Sequence, residues 1–326
     1  MILNPPAHAG TQRVLVTGAT GFLGEAVARG LERADHPVLR GGRAAPPALI
    51  ARGEAWVGYG DIGPATRWDV ALDGVGAVVH VAGLAHLPDA TAPRAADALV
   101  RVNVEGTACL AAAAVRAGVR RFVLVSSALV HGEASPGRPF TEVDAPAPKS
   151  PYARSKLGAE QRLIEIARGT GMHWVILRPP MVYGPRAGGN FRRLVRLVGS
   201  GLPLPLGAAT APRSFIGIDN LADAVVRAVK HERAADGAFL LGDGESTSTA
   251  DLVRRIAATL GRRVWLLHAP PALLRAASRL ADRERDYRRL FEPLELDITR
   301  IRAELDWSPS VSMDEGLASA LLHPDG

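Results

Sequence analysis

Residues 17–24 read TGATGFLG, directly after the apolar run RVLVTG (13–18) and directly before the amphipathic EAVARGLERA (25–34). A glycine-rich turn between a strand and a helix lets the backbone approach a pyrophosphate. The helix N-terminus then supplies free N–H groups and positive potential. Gly18 is placed to make the turn, Gly21 to allow close approach, and Gly24 to let the helix sit on the sheet, with Phe22 and Leu23 carried between them. A chain that starts this way is committed to a strand–turn–helix unit and, if the pattern continues, to a parallel sheet.

The pattern continues. HPVLRG (36–41), AVVHVAG (77–83), RFVLVSS (121–127) and WVILRPP (174–180) are near-continuous apolar runs, separated by helical stretches such as TACLAAAAVRAG (107–118). Apolar strands alternating with helices predict a parallel sheet covered on both faces. From residue 181 the order changes to loop and helix, with one further strand at SFIGI (214–218), a helix at NLADAVVRAVKH beside it, and an Arg-rich remainder. The expected fold is α/β: a Rossmann-type doubly wound parallel sheet with a smaller, mostly helical C-terminal substrate domain. The expected division is 11–180 for the dinucleotide-binding part, with 213–235 packing back onto it, and 181–212 plus 236–326 for the substrate part.

Composition narrows the partners. Among 326 residues, Lys and Arg exceed Asp and Glu by 6, but the basic residues are spread along the chain with acids between them. Nucleic-acid binders concentrate such charge in a patch, so no nucleic-acid partner is expected. A phosphorylated small molecule suits the balance equally. A single cysteine, Cys109, excludes an intrachain disulfide and a cysteine-rich metal site, and no metal is expected. No stretch reads as a signal peptide or a membrane span, so a cytoplasmic protein without a membrane partner is expected.

PYARSK (151–156) sets Tyr152 four residues before Lys156 on one helix face. Alone, that spacing is most often coincidence. It stands, however, downstream of a strand ending in Ser126 and Ser127, at the sheet edge where doubly wound folds bind ligands. An ammonium one turn away favours the phenolate of a tyrosine, and a serine can hold a substrate oxygen. Together with the glycine loop, Ser127, Tyr152 and Lys156 are read as catalytic. The window VLRGGR after the glycine loop lacks the acid that would bind the ribose 2′-hydroxyl of NAD. Arg40 and Arg43 either pair with the 2′-phosphate of NADP or are solvated loop arginines. The cofactor is therefore NAD or NADP, with a slight tilt to NADP.

TGATGFLG, GDI (60–62), HVAG (80–83), Asn103 in RVNVEGT, VSS (125–127), YARSK and LRPPMVYGP (177–185) together resemble the extended short-chain dehydrogenase/reductase family. The resemblance runs from about residue 13 to residue 320. It implies that Asp61 and Ile62 lie by the adenine, that Val81, Ala82 and Gly83 line the cofactor with Asn103 and Ser126, and that Pro179 and Val182 approach the nicotinamide. NF (190–191), PLPLG (203–207), RSFIGIDNLADA (213–224) and DITRIRAELDWSPS resemble the UDP-sugar 4-epimerase branch of NAD-dependent epimerases/dehydratases. That likeness implies Asn190 and Arg213 on a nucleotide-sugar diphosphate, Leu206 near the base, and Ser127 and Ala128 on the sugar. His131 and Gly83 stand where many epimerases have tyrosine and alanine, positions expected near cofactor or sugar.

The implied function is a 4-epimerase for a UDP-hexose or UDP-N-acetylhexosamine. The alternatives are an NADPH-dependent 4-keto-sugar reductase, a ketone reductase of another small-molecule class, and a nucleotide-binding sensor without turnover. The last usually lacks the tyrosine or the lysine, and both are present. The resemblance also implies a homodimer built on helices around 95–118 and 152–168.

Overall fold

The computed structural model describes residues 12–85 and 93–322. Its strands are β1 (Arg13–Thr17), β2 (Val38–Gly42), β3 (Trp56–Gly58), β4 (Val75–His80), β5 (Arg121–Val125), β6 (His173–Arg178), β7 (Met181–Tyr183), β8 (Pro212–Gly217), β9 (Gly237–Leu240) and β10 (Ser246–Ser248). Seven of them form one sheet in the order β3-β2-β1-β4-β5-β6-β9, every neighbouring pair parallel. The order reverses between β1 and β4, and ligands bind at the carboxyl edge of such a switch point.

Side chains alternate between the two sheet faces, and both faces are covered, which is why these strands are mostly apolar on both sides. Val14, Val16, Val79 and Leu177 pack beneath helices Phe22–Arg33 and Ile218–Lys230. Leu15, Val78, Phe122 and Ile176 pack on the opposite face, against helices Gly106–Arg116 and Pro151–Ala167.

The structure adds four strands that periodicity does not reveal, β7 and β10 in a second, smaller sheet and β3 and β9 in the large one. β3 is three residues long, and β9 reads GAFL. β9 falls within the segment assigned by sequence to the substrate part, yet it pairs with β6 and closes the large sheet. Ile301, Leu305 and Trp307 likewise return to the core of the first face. β8, the SFIGI strand, belongs to a second sheet of order β10-β8-β7. That sheet roofs a separate core of Tyr183, Phe191, Leu194, Phe215, Val253 and Met313.

One expectation changes. The stretch Arg94–Arg116 is long and apolar enough, by length and composition only, to cross a membrane. Leu110, Ala111 and Ala114 within it are fully buried against the large sheet, as in the core helix of a globular protein. Its middle, Val100–Glu105, is a π-helical turn. Two further helices, Pro271–Leu280 and Glu284–Phe291, contain no fully buried residue although they wall the main cavity.

Candidate active site

The glycine loop is dictated by close backbone approach. Gly18 has φ +69°, a conformation glycine adopts freely. A Cβ there would lie 3.0 Å from the Ala82 Cα, so the loop rests directly on the segment after β4. A Cβ on Gly24 would lie 2.1 Å from the Gly18 carbonyl oxygen. The following helix has Gly21 as its N-cap, with no side chain capping its first N–H groups. Those donors face the switch point, a geometry that suits an anionic pyrophosphate. The Gly18 N–H donates 2.9 Å to the Tyr59 hydroxyl, a contact no motif predicts.

A buried hydrogen-bond chain fixes the segment after β4. Thr107 Oγ1 donates to the Asn103 carbonyl (2.6 Å), so it accepts from His80 Nε2 (3.1 Å). His80 Nδ1 then accepts from Thr17 Oγ1 (2.7 Å), which in turn accepts from the Ala82 N–H (3.3 Å). Burial, and then Lys156, hold His80 down at about 3, so its imidazole is neutral as this chain requires. Asn103 is presented inward by the π turn and is not a helix cap. Its amide accepts from Leu84 N–H (2.8 Å) and donates to Leu84 O (2.9 Å) and Ser155 Oγ (2.9 Å). A Cβ on Gly83 would meet Asn103 Oδ1 at 2.9 Å, which accounts for glycine at this position.

Helix Pro151–Ala167 starts where its sequence dictates: Ser150 caps it by accepting from the Ala153 N–H (3.1 Å), and Pro151 occupies the first turn. Tyr152 and Lys156 follow on one face. Burial pushes the Tyr152 hydroxyl up to about 12, against the opposing effect of its hydrogen bond with Ser127. Burial brings Lys156 down to about 8, with Glu160 pulling the other way. Ser127 and Tyr152 are therefore hydrogen-bonded just beyond the end of β5, and Lys156 is buried one turn further along the same helix.

Ser126 does not join them, contrary to the expectation of a cofactor contact. Its hydroxyl donates to Glu160, in a network where Arg178 donates to both Glu160 oxygens (Nε 3.1 Å, Nη2 2.6 Å). Arg178 Nη1 also donates to His131 Nε2 at 2.9 Å. His131 is thus buried beneath the site, stacked on Phe140, and does not line the cavity as its sequence position suggests. The backbone stays extended just past β5, where adjacent side chains point opposite ways, so Ser126 and Ser127 cannot both face the ligand.

A cavity of about 820 Å³ opens beside Tyr152 and Ser127 and extends under the second sheet. Phe22, Leu23, Ala128, Val182, Asn190 and Leu206 line it. Asn190 lies in the first turn of helix Gly189–Gly199, whose cap is Gly188, so its amide is not a cap. Arg213 lines the same cavity, buried, and donates to the Glu292 carbonyl rather than to a carboxylate. Burial, and then Arg289, depress it to about 10. Arg289 is a site residue the sequence reading did not single out. It lines the cavity, and its guanidinium makes no hydrogen bond or ion pair among the described residues, while the neighbouring Arg285 is held by Glu133 at 2.8 Å. Nothing in its local sequence distinguishes it among the arginines of 275–289.

At the end of β2 the expectation for Arg40 is overturned. Its side chain is buried between Glu25 (3.1 Å), Glu32 (2.9 Å) and Glu54 (2.7 Å), neither solvated nor available to a phosphate. Arg43 is exposed, 4.0 Å from Asp61. Ile62 packs on Gly106 and the second core. Val81 packs against the first core, and the Pro179 carbonyl accepts from the Ala128 N–H at 2.9 Å. Among the described residues no group of three or more His, Cys, Asp or Glu is placed to hold a metal ion.

A doubly wound sheet with a glycine cradle at its switch point, and a Ser–Tyr–Lys set beside it, defines a dinucleotide-dependent enzyme of the short-chain dehydrogenase/reductase type. The chain belongs to the NAD dependent epimerase/dehydratase family, whose model matches residues 14–242. It is 35% identical over 305 residues to a UDP-glucose 4-epimerase of Vibrio cholerae, covering 93% of this chain and 92% of that protein. Its fold matches the UDP-glucuronic acid 4-epimerase of Bacillus cereus, solved in complex with NAD (TM-score 0.77, 22% identity, 96% and 98% of the two chains). MoeE5, solved in complex with UDP-glucose and NAD, matches with TM-score 0.75 at 25% identity, over 94% and 96% of the chains.

Proposed function

We propose that the chain interconverts C4 epimers of a nucleotide sugar, a UDP-hexose or UDP-N-acetylhexosamine, through a 4-keto intermediate. One observation carries this reading: a single cavity joins Tyr152 and Ser127 to the guanidinium groups of Arg213 and Arg289. Arginines shielded from solvent and lacking a carboxylate partner call for a dianion, and a diphosphate accepts their forked donors. A ligand anchored there through its diphosphate reaches the tyrosine with its sugar.

The cradle of Gly18, Gly21 and Gly24 fits a dinucleotide, since side chains at these positions would fill the space the backbone needs. NAD(P), when bound, supplies the hydride acceptor and donor. Tyr152 takes the proton from the C4 hydroxyl and later returns it, while Ser127 holds the same oxygen. Burial raises the cost of the phenolate; Lys156, one helical turn on and an ammonium at neutral pH, is assigned the role of offsetting it once substrate and dinucleotide fill the site. The helices around 95–118 and 152–168, which pack side by side, are the faces through which two copies would pair as a homodimer.

The test is to incubate the protein with UDP-N-acetylglucosamine and UDP-glucose and follow formation of the 4-epimer by NMR. Tyr152→Phe should lose about a hundredfold or more in rate, whereas Arg213→Ala should act mainly on KM. Absence of any 4-epimer from both sugars, with cofactor supplied, sinks the proposal. A second reading, one-way reduction of a 4-keto sugar by NADPH, uses the same residues once. It is favoured by the end of β2, where no carboxylate stands.

A further inference from the structure

Arginines are spread along the chain, but their excess over acids is not. Between residues 262 and 291 eight arginines stand against three acids, Asp282, Glu284 and Asp286, so this one stretch holds nearly all of the net charge of +6. The same stretch carries exposed apolar side chains: Trp265 is 68% exposed, Leu273 66% and Leu280 92%. Isolated exposed leucines are ordinary, whereas a cluster marks an interaction surface. Among the described residues, six of the eleven large exposed apolar side chains fall here or beside it, namely these three with Leu267, Leu197 and Leu202.

The fold gathers these residues. The Leu204 N–H donates to the Trp265 carbonyl and the Leu267 N–H to the Leu204 carbonyl, both at 2.8 Å, and Arg262 Nη1 donates to the Gly199 carbonyl at 2.9 Å. Alternation along this bridged segment turns Leu266 in to the core under the second sheet and leaves Trp265 and Leu267 outside. Helix Pro271–Leu280 then turns Leu274 and Ser278 to the cavity, and Leu273 and Leu280, two turns apart on one stripe, to solvent. The positive charge beside them is thinly compensated. Arg275 (3.5 Å), Arg279 (3.3 Å) and Arg288 (3.3 Å) share a single carboxylate, Glu284. Solvated pairs of this kind hold weakly, so the guanidinium groups are free to meet other anions.

We propose that the outer face of the stretch 262–291 docks on an anionic phospholipid bilayer, with Trp265, Leu273 and Leu280 entering the headgroup boundary and the arginines meeting lipid phosphates. Helices that lie in a membrane interface combine leucine or tryptophan on one side with arginine around it, and an anionic leaflet attracts each such cation. A second copy of the chain suits the face less well, because a two-fold contact would set one excess of positive charge against another. A peripheral surface needs no spanning segment, so it is compatible with a sequence that contains no signal peptide. Leu274 and Ser278 of the same helix line the cavity, so docking brings the mouth of the site to the membrane surface. The proposal is independent of the sugar assigned above.

The test is cosedimentation of the full-length protein with vesicles of phosphatidylcholine alone and of phosphatidylcholine mixed equally with phosphatidylglycerol. The mixed vesicles should bind about tenfold or more tightly, and raising the salt to about 0.5 M should remove most of that advantage. Trp265 is the one exposed tryptophan of five, so its emission should shift to the blue on the mixed vesicles, and Trp265→Phe should lose the shift. Leu273→Ser combined with Leu280→Ser should weaken vesicle binding about tenfold or more. The urea midpoint of that variant should match the parent's, since both side chains are already exposed. Arg279→Glu should reduce the preference for phosphatidylglycerol. Binding to neither kind of vesicle, or equal binding to both, overturns the proposal. So does a concentration-dependent dimer that the double leucine variant dissolves in the absence of any vesicle binding, which assigns the face to a second copy.

Discussion

Glu160→Gln is the most informative single change beneath the site. The carboxylate, whose side chain is 2% exposed, takes two hydrogen bonds from Arg178 and one from Ser126. The substitution removes its charge and leaves the Arg178 guanidinium, 9% exposed, without a counterion. Removing one member of a buried pair typically costs about 3–5 kcal/mol, because the partner keeps its desolvation penalty. Against a total of roughly 5–15 kcal/mol, that loss should move the urea midpoint well below that of the parent protein. The same carboxylate raises Lys156, which burial has already brought to about 8. Without it Lys156 loses its proton at lower pH, so the alkaline limb of the rate profile should move towards neutrality. Replacing both partners, as in Glu160→Gln with Arg178→Met, should recover part of the stability, since no unpaired charge remains. A stability loss below about 1 kcal/mol, the ordinary value for a hydrogen bond, would refute the paired-charge argument. An alkaline limb that stays in place or moves upward would refute the coupling to Lys156.

Gly24→Ala should cost about 2 kcal/mol or more and abolish dinucleotide binding, since the new methyl would meet only backbone of the glycine loop; near-native binding by fluorescence titration would count against the close-packed loop. Acid should destabilise the fold from pH 6.5 downwards. Burial depresses both His80, to about 3, and His131, to about 4, so the unfolded chain takes up protons that the native state refuses. The stability these imidazoles contribute is whole above their ordinary value of 6.5 and is lost as pH falls towards 4. His131→Gln should flatten that slope in urea titrations between pH 6.5 and 4, and an unchanged slope would place the acid sensitivity elsewhere.

The parts of the molecule legible in the sequence are those governed by local rules. β1, β2, β4, β5 and β6 announce themselves because strands covered on both faces read as near-continuous apolar runs. The glycine loop and the Tyr152–Lys156 pair are legible because a turn and a helix fix their spacing. β3 and β9 are too short to show a period, and each is held by its neighbour in the sheet rather than by its own pattern. Arg40 looks like a loop cation because its three carboxylates come from a helix and from a separate turn, which no linear spacing encodes. Ser126 illustrates a signal that was present: in the extended backbone just past β5 adjacent side chains point opposite ways, and Ser126 faces Glu160. Arg289 carried no such signal, because its importance arises from lacking a partner in a cavity formed by distant segments.

The cavity is walled on its outer side by helices Pro271–Leu280 and Glu284–Phe291, which bury no residue fully. Such weakly anchored elements sit at the low end of the local stability scale. Their amides should exchange with solvent deuterium far sooner than those of β1 or β5. A nucleotide that draws Arg289 inward from the second of these helices would knit both to the body of the protein. The wall would then act as a shutter whose closing registers as slowed exchange across 271–291, well away from the reacting carbon.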